Sequence, residues 1–184
     1  MAGNFEAQYL EEARRIFRRQ KGLGDKAMAQ LREEELFRAP DEESNSVAII
    51  VKHMAGNMRS RWTDFLTSDG EKPDRNRDQE FVLEPGTTRE QVLGWWEEGW
   101  RCVFSALDSL RPEDLGRSVF IRGLEHSVLQ AINRQVDHYA YHVGQIVFLA
   151  RHWKRGEWTS LSIPRGRSAE FNARMAERTW SRNP

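Results

Sequence analysis

Two of the five histidines in the chain stand four residues apart, at His138 and His142. Apolar side chains around them recur at intervals of three and four, which predicts an amphipathic helix. On such a helix both imidazoles leave from the same side. Histidine is the commonest metal-binding side chain, and an i, i+4 pair reaches one divalent ion without bending the backbone. The pair is equally typical of boundary residues that hydrogen-bond to their neighbours.

A third histidine, His53, lies in a mostly apolar stretch. Such an isolated histidine is more often a satisfied core residue than a ligand. Two helices of a bundle can nevertheless bring it beside the pair, giving three nitrogen ligands and at least one open position. That is the ligand count of a catalytic metal site. Asn57 and Gln145 each lie one helical turn from a histidine, and we predict that they contact a ligand or water on the open side. Helix packing explains Asn57 equally well.

Four segments of the chain resemble the DinB/YfiT-like metalloenzyme superfamily, in a bacterial branch with no assigned function. The segments are 52–58, 60–73, 133–146 and 158–166. The similarity extends from the first predicted helix to Asn172, and the three-histidine motif of the superfamily falls on His53, His138 and His142. The resemblance implies a four-helix bundle, a bound divalent metal, frequent homodimers, and relatives that are thiol-dependent transferases or isomerases.

The composition is that of one soluble globular domain over residues 1–184, with 28 basic and 28 acidic side chains. Zero net charge gives no general attraction to nucleic acid or to anionic membranes, so we expect neither as a partner. The single cysteine, Cys102, cannot form an internal disulfide. With no signal peptide and no long apolar span in the sequence, we expect a cytoplasmic protein.

Helical periodicity predicts an all-α fold with four main helices, a short extended segment and an additional C-terminal helix. Glycines at positions 22 and 24 predict a bend or break near residues 21–25 of the first helix. Thr87 and Glu90 have the spacing of a capping box for the third helix. The predicted helices span residues 4–38, 46–67, 88–110 and 126–154, with the extended segment at 118–121 and the last helix starting at Ser168.

Two regions of the sequence have more than one interpretation. The polar loop at 68–85 either covers the mouth of the metal site or is a solvated surface connector, and the connector is favoured. The third helix carries Trp95, Trp96 and Trp100, an aromatic stripe typical of a core or of a homodimer contact. Cys102 has no histidine beside it in sequence, so we interpret it as structural.

The predicted site favours metal-assisted chemistry on a small molecule. A divalent ion with three neutral imidazoles acidifies a bound water or thiol. The resemblance favours a metal-dependent S-transferase or isomerase that uses a low-molecular-weight thiol. Three histidines accept nickel, zinc or iron according to availability and geometry. One alternative is a hydrolase, although no Glu stands beside His138 or His142 as in a His-Glu-x-x-His protease. The other is a non-enzymatic, stress-associated metal-binding bundle with a partner on its tryptophan-rich surface.

Overall fold

The computed structural model describes residues 5–180, and side chains as far as residue 176. The protein is mostly helical with a small two-stranded sheet, in keeping with the predicted class. Its elements are α1 (Phe5–Met28), α2 (Glu33–Phe37), α3 (Val47–Trp62), α4 (Arg89–Ser109), β1 (Ser118–Ile121), β2 (Leu124–Ser127), α5 (Val128–Lys154) and α6 (Ser168–Trp180). No helix within residues 5–180 combines the length and the apolar character needed to cross a membrane.

The four long helices form two parallel pairs that run in opposite directions. Tyr9 near the start of α1 hydrogen-bonds to Asn133 early in α5, and Gln20 reaches the carbonyl of Val136 further along. In the other pair, the Lys52 amine lies over the ring of Trp95. Because α3 and α4 are parallel, the chain between them must return along the bundle from the end of α3 to the start of α4. This geometry carries the long 63–88 connection past the middle of α3.

Aromatic side chains from all four long helices meet in the centre of the core. The Phe17 ring centroid lies 5.7 Å from that of Trp62 and 5.8 Å from that of Tyr139. Trp96 and Trp100 of α4 are both less than 2% exposed. The aromatic stripe that the sequence places on its third predicted helix lies on α4, and it belongs largely to the core. These two tryptophans are not available for a dimer contact, and homodimerisation stays a prediction.

Helix α1 is continuous through residues 21–25, so the predicted break there is wrong, and the predicted bend stays a prediction. The helix continues through both glycines and breaks only after Met28, before α2 begins. Gly24 serves packing: a Cβ there would lie 2.5 Å from Cζ2 of Trp96. The contact between α1 and α4 offsets the roughly 1 kcal/mol that a glycine costs in a helix. The predicted start at Asn4 lies outside the described residues.

Two other helix boundaries differ from the predictions. Helix α3 is capped by Ser46 as expected, but it ends at Trp62 rather than at Thr67, and Asp64 has a φ of 49°. The capping box of α4 is formed by Thr88 and Gln91, one residue later than predicted. The hydroxyl of Thr87 instead donates to the carbonyl of Glu84. The predicted capping box at Thr87 and Glu90 is therefore wrong by one residue.

The predicted extended segment is strand β1, and it has a partner that was not predicted. Strand β2 pairs with it in antiparallel register through a turn at Arg122 and Gly123, both at positive φ. His126 therefore lies in β2, and α5 begins at Val128 with Ser127 as its cap, later than the predicted start. The four residues of β2 show no clear alternation of their own, and their conformation depends on pairing with β1.

Candidate metal centre

The three predicted histidines meet between α3 and α5. One nitrogen from each of His53, His138 and His142 lies within 4.8 Å of the others. The Nε2 atoms of His138 and His142 are 3.1 Å apart. At a metal–nitrogen distance of about 2.1 Å, two ligands of one ion lie about 3.0 Å apart at a right angle and about 3.4 Å apart at the tetrahedral angle. The cluster therefore fits one divalent ion with only small side-chain adjustments.

His53 is the buried member of the cluster, with 4% of its surface exposed. Its ring stacks on Phe81, with centroids 4.7 Å apart, and meets the His142 ring edge-on at 4.9 Å. Its Nδ1 lies 2.9 Å from Oε2 of Glu80. Since a carboxylate accepts, Nδ1 carries the hydrogen and Nε2 keeps the lone pair needed to bind a metal.

His138 and His142 are half-buried, so this side of the cluster remains open to solvent. The Nδ1 of His142 lies 2.8 Å from Oε1 of Gln145, which directs its Nε2 lone pair towards the cluster. The Nδ1 of His138 is buried and has no hydrogen-bond partner among the described residues. Gln145 therefore contacts a histidine of the cluster and orients its ring. Its predicted contact with a bound molecule stays a prediction.

Burial keeps the two α5 histidines neutral. It lowers the pKa of His138 to about 3, and the neighbouring His142, His53, Arg61 and Arg75 act in the same direction. Burial also lowers the pKa of His142, although the hydrogen bond with Gln145 opposes that change. Imidazole must be neutral to bind a metal. At neutral pH these two side chains are already neutral, so metal binding does not require them to release a proton.

The long loop between α3 and α4 supplies Glu80, a residue that the sequence analysis missed. Arg75 donates to both carboxylate oxygens of Glu80, at 2.7 and 2.9 Å. Burial raises the pKa of Glu80, but the hydrogen bonds with His53 and Arg75 outweigh it, so the pKa is lowered and the group stays ionised. The interpretation of this loop as a solvated connector is wrong here. Metal-binding histidines commonly have a carboxylate partner. That general rule predicts an acidic residue beside one of the histidines, but it does not say which one.

A family profile covers most of the chain. The family described as "Protein of unknown function (DUF1572)" matches residues 4–167, a range that contains the three histidines and Glu80. The chain belongs to the DUF1572 family. A comparison with curated proteins found no match. Because the family description gives no activity, the function of this DUF1572 protein must be argued from its site.

Asn57 lies on α3 one turn after His53, but its hydrogen bond is to the core. The hydroxyl of Tyr139 donates to Asn57 Oδ1 at 3.1 Å and accepts from the indole N–H of Trp62 at 2.9 Å. This arrangement is the packing alternative that the sequence left open. A role for Asn57 beside the metal stays a prediction.

Two clefts of this DUF1572 protein flank the site without including a ligand histidine. One, of about 690 Å³, adjoins Gln145 and is lined in part by Ile50, Tyr141 and Phe148. The two aromatic side chains are 62% and 70% exposed. The other cleft, of about 590 Å³, is bordered by Glu80. The first cleft therefore offers apolar surface next to the half-buried side of the cluster.

Proposed function

We propose that this protein is a metal-dependent enzyme of the DinB/YfiT-like type, with one divalent ion held by His53, His138 and His142. The observation that carries the proposal is the cluster of three imidazole nitrogens within 4.8 Å. The four long helices are consistent with the bundle that such relatives have. Neutral nitrogen donors suit nickel, zinc, iron or copper, and availability in the cell decides among them.

The proposed reaction is transfer or isomerisation with a low-molecular-weight thiol as co-substrate. A divalent ion with three imidazole ligands supplies positive charge that lowers the pKa of a thiol binding beside it. The half-buried faces of His138 and His142 leave room for that molecule, whereas buried His53 closes the opposite side. Cys102 is not part of the histidine cluster, so the thiol would come from outside the chain.

The hydrolase alternative is less well supported because it needs a general base at the open side. No carboxylate of the described residues joins the histidine cluster. Glu80 is in contact with His53, but its lowered pKa and its two bonds with Arg75 make it a weak base. The tryptophan-rich partner surface of the non-enzymatic alternative is also weakened, because Trp96 and Trp100 are buried.

The small-molecule substrate is proposed to lie in the cleft beside Gln145. Ile50 and Leu149 line it, with Tyr141 and Phe148 exposed nearby. Ligand sites commonly combine such apolar surface with a few polar groups. An electrophile with an apolar body therefore suits this cleft better than a highly charged one.

Cobalt substitution tests the proposed function. Co²⁺ should bind to the metal-free protein, and adding cysteine should produce a new near-ultraviolet absorption band from sulfur ligation. Serine at the same concentration should produce none. The His142→Ala variant should lack the cobalt spectrum, and the His152→Ala variant should keep it. Cobalt binding with no response to cysteine would contradict the thiol chemistry, and no cobalt binding would contradict the metal site.

A further inference from the structure

Glu80 is the only charged partner that the described residues give to a histidine of the cluster. His142 has the neutral amide of Gln145, and within the described part of the chain His138 Nδ1 has no hydrogen-bond partner. The His53 and Glu80 side chains are 5% and 8% exposed, so their 2.9 Å hydrogen bond is shielded from water. Charge-assisted hydrogen bonds of this kind are stronger than neutral ones. Glu80 therefore restrains the His53 ring more firmly than Gln145 restrains His142.

Arg75 in turn fixes the position of Glu80. Its side chain is 5% exposed, and its Nε and Nη2 donate to different oxygens of the carboxylate. Nη1 of Arg75 also donates to Glu71 at 3.2 Å, and Glu71 accepts from Arg61 at 2.9 Å. Because each buried charge has an opposite partner, Glu80 can stay ionised and stationary beside His53.

Gly56 provides the space that the Glu80 carboxylate occupies. It lies three residues after His53, on the same side of α3. A Cβ at this position would come within 2.6 Å of Cδ of Glu80 and still closer to Oε1. Any larger residue would force the carboxylate to move away from its position against His53. Glycine at this position lowers the helix propensity of α3, but it leaves the space in which the Glu80 carboxylate contacts His53.

We propose that Glu80 is a positioning residue that orients His53 for metal binding. Arg75 fixes the Glu80 carboxylate, and Gly56 leaves the space that the carboxylate occupies. This inference rests on the proposed function, since it requires that His53 is a metal ligand. By accepting the Nδ1 hydrogen, Glu80 selects the tautomer whose Nε2 lone pair is free, and it increases the basicity of that nitrogen. Loss of such a partner typically weakens metal affinity by about 10–100-fold.

A glycine substitution tests the proposal without removing any polar group. Gly56→Ala should displace the Glu80 carboxylate and weaken Zn²⁺ affinity by roughly 10-fold or more, measured by calorimetric titration. Gly94→Ala is the matched control, because the same methyl group added to helix α4 meets no described atom within 4 Å beyond the adjoining backbone. It should bind Zn²⁺ as the wild type does. Equal affinities of the two variants would overturn the proposal.

A double-mutant cycle separates positioning from a structural role. Glu80→Gln keeps an acceptor for Arg75 and should weaken Zn²⁺ affinity by roughly 10-fold or more in the wild-type background. In a His53→Ala background, where the α5 pair is the remaining ligand set and the weaker binding is measured at higher Zn²⁺ concentration, it should have no further effect. The same loss in both backgrounds, or no loss in either, would overturn the proposal. Failure of the wild type to bind Zn²⁺ would instead refute the metal site itself.

Discussion

The indole N–H of Trp62 donates to the hydroxyl of Tyr139 across 2.9 Å in the buried core. Tyr139 is the residue after His138, and its hydroxyl also donates to Asn57 on α3. These two hydrogen bonds join the helix that carries His53 to the helix that carries the other two histidines. The relative position of the three candidate ligands therefore depends on a polar contact inside an otherwise aromatic core.

Removing that hydroxyl should destabilise the protein. Tyr139→Phe leaves the Trp62 donor and the Asn57 acceptor buried without a partner, so we expect a loss of about 1–3 kcal/mol in the free energy of unfolding. Urea unfolding followed by circular dichroism measures it. Tyr141→Phe is the control, because Tyr141 is 62% exposed, and its effect should stay within about 0.5 kcal/mol. Similar changes in both variants would show that the core hydrogen bonds contribute little.

The two glycines of α1 should respond in opposite ways to alanine. The methyl group of Gly22→Ala meets no described atom within 4 Å beyond the adjoining backbone, so it should stabilise the protein by up to about 1 kcal/mol through helix propensity. Gly24→Ala collides with the Trp96 ring and should destabilise it by about 1–3 kcal/mol, as overpacking does. Thermal unfolding of the pair decides the matter. Stabilisation by Gly24→Ala would mean that α1 and α4 separate easily.

The sequence predicts the helices and the His138–His142 pair because both have local signals, whereas His53 joins that pair through a contact between distant segments that the resemblance implied. The i, i+4 spacing of His138 and His142 follows from helix geometry, and the Ser46 cap and the start of α6 follow from local patterns. The position of Gly24 against Trp96 and the pairing of β2 depend on contacts between distant segments. Glu80 was not predicted for the same reason. The parallel packing of α3 and α4 brings it to His53, and no residue spacing in the sequence indicates that contact.

Acid should destabilise the metal-free protein through its neutral histidines. Burial lowers the pKa of His138 to about 3 and also lowers that of His142. In the unfolded chain both titrate near about 6.5, so below that pH the unfolded state binds more protons. The free energy of unfolding should therefore fall with decreasing pH, by up to about 1.4 kcal/mol per unit for each neutral histidine.

Urea unfolding in the presence of a chelator measures how the free energy of unfolding depends on pH. The range from about pH 7 to pH 5 includes the ordinary pKa of histidine. His138→Gln is the informative variant, because its side chain does not titrate and its pH slope should be shallower. A His138→Gln slope equal to that of the wild type would contradict the neutral, buried state of His138.

The metal content of two histidine variants is the most direct test of the three-histidine site. His142 belongs to the cluster, whereas His152 is exposed near the end of the same helix and stacks on Phe148. Both variants replace one histidine of α5 by alanine, so general effects on the helix are matched. Elemental analysis of the purified proteins should find one divalent ion per chain in the wild type and in His152→Ala, and a sharply lower content in His142→Ala. Equal metal content in the two variants would contradict the three-histidine site and the chemistry proposed for it.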